Sequence, residues 1–203
     1  MSSEYEPLFG GGSATQTEAA DGSDLDRVRE RFQRAVAPFL RSPLSWLAWS
    51  VVLPTAAKLH PWAWMRFGLQ GVLLLWSGAI LVGSLVEGLT LLRVRRRISP
   101  SPLVGWVLHA QGNVSLVGLA LSVFLVWLGQ AHALPGLWLL LVGHSFYVLG
   151  GLAFPPFRLY GLVFQRGGAA ALWPATNPLN VFAGITGAAN LWLAWKVWRG
   201  GQG

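Results

Sequence analysis

Residues 67–92 read FGLQGVLLLWSGAILVGSLVEGLTLL, with one charged side chain among them, Glu87, and the basic run RVRRR follows at 93–97. As a helix this stretch is about 39 Å long, and a bilayer's hydrocarbon core is about 30 Å thick. It is long enough to cross. Three further apolar runs lie beyond it, at 103–129, 134–154 and 179–198, each with about the 20 residues a crossing needs. After Glu30, Glu87 is the single carboxylate left in the chain. A soluble surface needs acids and bases interspersed. The fold class read from this pattern is all-α, a polytopic transmembrane helical bundle.

A fifth apolar segment, 43–59, is short and contains Pro54. The rule that cytoplasmic segments carry the excess of Lys and Arg decides its reading. With 43–59 as a span and the N-terminus inside, eleven of the fifteen basic residues fall inside and four outside (Lys58, Arg66, Lys196, Arg199). Without it the division is nine to six. The sequence therefore predicts about five spans, N-inside and C-outside. Ser42-Pro43, Ser101-Pro102 and Asn177-Pro178 each place a capping residue before a proline suited to the first helical turn. All three fall where this topology has a span entering from inside. Trp62, Trp64, Trp127, Trp138, Trp195 and Trp198 are read as the outer interfacial belt, with Trp46 and Trp106 at the inner one.

The rest of the chain divides in two. Residues 1–22 are rich in Gly, Ser, Thr and acids and read as a disordered tail. From 23 to 41, Leu25, Val28, Phe32, Ala35, Val36 and Phe39 recur at helical spacing while Arg27, Arg31, Arg34 and Arg41 face elsewhere. That is a basic amphipathic helix suited to a lipid surface. The transmembrane domain then occupies 42–203, with 157–177 read as a cytoplasmic loop holding at most a short helical turn at 159–164.

Charge and composition narrow the function. The net charge is +7 and the pI about 11.1. Seven of the eight acids lie in residues 1–30, and the basic residues gather at the ends of apolar runs, where they meet lipid head groups rather than nucleic acid. The absence of cysteine excludes disulfides, thiolate metal sites and cysteine nucleophiles. The N-terminal residues have neither the basic nor the apolar region of a cleaved signal peptide, so the spans are expected to serve as insertion signals. No phosphate loop, metalloprotease motif or nucleophile elbow occurs. No catalytic residue and no metal site are assigned. The expected localisation is a bacterial cytoplasmic membrane or its equivalent.

Polar groups inside spans each need a reason, since they are costly there. Glu87 and His109 lie at matching depth in consecutive spans and are expected to pair, with Asn113 one turn beyond His109 on the same face. The pair reads either as a hydrogen bond pinning two helices or as a polar path for a small transporter or channel. His109 and His144 on neighbouring helices are the minimum for holding a haem b iron, and one histidine suffices for a (bacterio)chlorophyll magnesium. Ser84 and Gly88, and Gly184 and Ala188, form small-residue surfaces suited to close helix packing. Three readings follow. The leading one is a non-enzymatic membrane subunit, without a resident cofactor, that packs into a larger protein complex. The alternatives are a haem- or chlorophyll-binding electron- or energy-transfer subunit using His109 and His144, and a transporter or channel using Glu87 and His109.

Overall fold

The structure is a computed structural model and describes residues 26–34, 42–94, 102–152 and 154–200. Among these every regular element is helical. α1 covers 26–34, and α2 runs from Pro43 to Val94, α3 from Pro102 to Trp127, α4 from Leu134 to Leu152, α5 from Pro156 to Ala171 and α6 from Pro178 to Gly200. The expected tail at 1–22, Arg41 and the basic loop 95–101 lie outside the described residues. Among the described residues three helical segments are long and apolar enough to cross a membrane: Pro43–Arg93, Gly105–Trp127 and Ala131–Gly151.

The longest helix is folded in half. Gly68, at φ 60° and ψ −147°, interrupts α2 with a conformation that only glycine adopts without strain. Residues equally far from it on either side meet. The Trp49 indole donates to Glu87 Oε2 at 3.3 Å, nineteen positions either side of Gly68. The Trp76 indole donates to His60 Nδ1 at 3.0 Å, eight positions either side. Gly83 lets the Trp49 ring lie directly on the second arm. α2 is therefore an antiparallel hairpin whose turn is one residue. The loop expected between 59 and 67 is helical instead: Pro61 lies inside the helix and removes one backbone donor, and the arm continues past it to the break at Gly68.

α3 and α4 form a second hairpin. The chain reverses through Gly129 (φ 72°) and a 3-10 turn at Ala131–Ala133. Gly118 of α3 packs against Leu141 and Trp138, and the Trp138 indole donates to the Ser122 hydroxyl at 3.1 Å. Among the described residues α3 packs chiefly on α4 and the turn before it; the expected side-by-side packing of α3 along the second arm of α2 is not formed.

The segment read as a loop at 157–177 is instead α5, and this is the main correction to the sequence reading. Gly136, Gly143 and Gly150 recur every seven residues on α4, and Gly161 and Gly168 do so on α5. A methyl group on Gly161 would lie 2.5 Å from the Tyr147 nitrogen and 2.6 Å from the Gly143 carbonyl oxygen. Glycine is required there because the two backbones touch. Gly168 meets the Gly136 carbonyl, and Gly150 meets Arg158, so α5 runs back along the whole of α4. Its other face (Tyr160, Phe164, Gly167) is buried against α6 and the core.

α6 closes the bundle against the first arm of α2. Asn177 caps it, its side-chain oxygen accepting from the Asn180 amide at 3.1 Å. Lys58 donates to Asn180 Oδ1 at 2.8 Å, and Gly187 packs on Pro54 further along, so α6 is antiparallel to that arm. Pro43 and Gly200 therefore lie at one end of the bundle, called here the near end. The turns at Gly68, 128–133 and 172–177 all lie at the far end. Trp195 and Trp198 consequently belong to the near end with Trp46, opposite to where the five-span pattern puts them. Pro178 likewise starts its helix at the far end, not beside Pro43. The core is aromatic towards the near end, where Trp46, Phe146, Phe157 and Tyr160 meet edge to face with centroids 4.7–6.5 Å apart.

Candidate functional site

Polar side chains within the helices fall into two sets, one tied to neighbouring helices and one facing outward. The tied set begins with Tyr160, whose hydroxyl donates to Asn190 Oδ1 at 2.7 Å; Asn190 Nδ2 in turn donates to the Thr186 carbonyl. All three residues are buried. Thr186 and Thr90 return their hydroxyls to carbonyls one turn earlier on their own helices. Ser145 is the exception: among the described residues its buried hydroxyl has no partner.

Glu87 belongs to the tied set, but its partner is Trp49 and not His109. The expected Glu87–His109 pair is absent because α3 does not pack beside the second arm of α2. Trp49 escaped the sequence reading because its pairing depends on the turn at Gly68. The signal available was the reversal's symmetry, with Trp49 and Trp76 each opposite a polar residue about that glycine.

His109, Asn113 and His144 form the outward set. His109 Nδ1 lies 2.8 Å from the Gly105 carbonyl, which can only accept, so Nδ1 carries the hydrogen and a neutral ring presents its Nε2 lone pair outward. At about 100° per residue, the nine residues from His109 to Gly118 leave them roughly half a turn apart. Gly118 faces α4, so His109 and Asn113 face away from it, and both are exposed. His144 is exposed on α4, off the faces that hold α3 and α5. His109 faces away from α4 while His144 stands on it, so the structure does not bring together the two histidines that the alternative haem reading pairs. Among the described residues no cluster of three metal-binding side chains occurs.

The small-residue surfaces also face outward. Ser84, Gly184 and Ala188 are exposed, and nothing lies within 4 Å of the space a side chain would fill at Gly88 or Gly184. The glycines that bring two helix backbones together are those of α4 and α5, among them Gly136, Gly143, Gly150, Gly161 and Gly168. Their seven-residue spacing was the available signal. Arg27, Arg31 and Arg34 are exposed on α1, as is Val28 of the expected apolar face, while Phe32 is buried. A scan against protein-family models finds no match, and searches of curated proteins and of solved structures find none either.

Proposed function

We propose that this chain is a non-enzymatic, multi-pass integral membrane subunit that assembles with other membrane protein. The observation that carries this reading is the outward face of α3. Asn113 lies about 16 Å along a helix of about 39 Å, near its middle, and among the described residues its amide has no hydrogen-bond partner. An amide facing acyl chains at mid-depth is unfavourable, and a protein partner relieves it. The open Ser84–Gly88 and Gly184–Ala188 surfaces support the same reading, since small residues allow a second helix to approach closely.

Six crossings suit the geometry better than five. The two arms of α2, then α3, α4, α5 and α6, alternate in direction, so both ends of the bundle domain share one side. The basic residues then divide more sharply. Twelve of the fifteen lie on the near side: Arg27, Arg29, Arg31, Arg34 and Arg41; Arg93 and Arg95–Arg97; Arg158; Lys196 and Arg199. Only Lys58, Arg66 and Arg166 lie on the far side. The near side is therefore cytoplasmic. α5, at about 24 Å, is short for a crossing, but it is sheathed by α4 and α6, where a bilayer imposes less on the backbone.

The test is gentle extraction of the tagged chain from its own membrane, followed by mass measurement of the intact particle. A particle heavier than one 22.0 kDa chain plus detergent is expected. A lone chain with nothing attached would end the reading.

A further inference from the structure

The outward face of α3 also says what covers it. Trp106, Asn113, Ala120 and Trp127 recur every seven residues along that face, with His109 and Leu116 flanking them at three-residue offsets. All six are exposed. The α4-facing residues, Gly118 and Ser122, lie on the opposite side. Residues seven apart share one stripe of a helix, and a stripe of this length is the geometry by which a second helix packs nearly parallel along it. A small residue at its centre, Ala120, lets the helices approach.

We propose that this seam pairs with the same seam on a second copy of the chain, in a two-fold dimer about an axis along the membrane normal. The proposal rests on the multi-pass reading and names its partner. Complementarity selects a second copy. Every copy inserts in the same orientation, so two α3 helices meet parallel and residues of equal depth face each other. An amide carries both donor and acceptor, so Asn113 satisfies Asn113 of its twin across the axis, as self-complementary contacts in two-fold interfaces must. A polar residue at one seam position also fixes register. A partner of different sequence would need its own polar group at that depth, whereas a second copy brings one by symmetry.

The chain's lack of cysteine makes the test direct. Ala120→Cys, in the full chain in its native membrane, is expected to form a disulfide-linked dimer on mild oxidation, because cysteines on this seam come within bonding distance. Leu119→Cys, exposed but about 100° around the helix, is expected to remain monomeric. Asn113→Leu added to Ala120→Cys should lower the dimer yield roughly three-fold or more, and Asn113→Gln should restore much of it. Equal linking at 119 and 120 would overturn the seam, and linking indifferent to Asn113→Leu would overturn the amide pairing. No linking at 120, with an intact particle that contains a different membrane protein, would overturn the dimer and leave the subunit reading standing. No linking and a lone chain would end both.

Discussion

Tyr160 on α5 gives its hydroxyl hydrogen to Asn190 on α6 at 2.7 Å, with both side chains buried. Among the described residues this is the one side-chain hydrogen bond that joins α5 to α6. It sits where Trp46, Phe146 and Phe157 converge on the same ring.

Tyr160→Phe keeps the ring packing and removes the hydroxyl, leaving Asn190 Oδ1 without its donor. The expected loss is about 1–3 kcal/mol of unfolding free energy. Denaturant titration in detergent, followed by tryptophan fluorescence, would measure it. Tyr147→Phe, at an exposed position, should change little. Equal stability of both variants would mean that the α5–α6 bond contributes nothing.

Gly161→Ala is expected to be damaging despite its size. The added carbon meets the Tyr147 nitrogen and the Gly143 oxygen, backbone atoms that cannot swing aside. Overpacking of this kind typically costs about 1–3 kcal/mol, and here α4 and α5 must separate to relieve it. Gly184→Ala, with open space around it, is the control and should not lower the stability of the isolated chain, since alanine is the better helix former. A thermal shift measured on the two variants separates the outcomes; a stable Gly161→Ala would contradict the backbone contact.

Six crossings predict that single cysteines at Ser13 and Gln202 react with a membrane-impermeant maleimide from the same side. Ala175→Cys, in the turn between α5 and α6, should react from the opposite side. Labelling of Ser13→Cys and Gln202→Cys from opposite sides would restore the odd number of spans.

The sequence made the helical class legible, along with the proline starts at Pro43, Pro102 and Pro178, because length, apolarity and capping are local properties. α5 was not legible as a bundle member. Arg158, Gln165, Arg166 and three glycines dilute its apolarity, and it earns its place through backbone contact with α4, a relation between distant positions. α6 runs antiparallel to the first arm of α2 where the five-span reading makes the two parallel, because a helix at 156–171 stands where that reading has a loop. Of the candidate site residues, the sequence identified Glu87, His109, Asn113 and His144 as polar groups needing an explanation, but not their partners. Partners depend on which face a helix presents, and α3 presents Gly118 to α4 and Asn113 to the outside.

The reversal at Gly68 leaves no slack. With the short turns at 128–133 and 172–177, it gives the far end three connections, none long enough to form a structured protrusion. A protease or antibody approaching from that side would find almost no handle. Under the six-crossing proposal, a water-soluble regulator or assembly factor would have to reach this protein from the near side, and the chain would be nearly silent towards the compartment on the other.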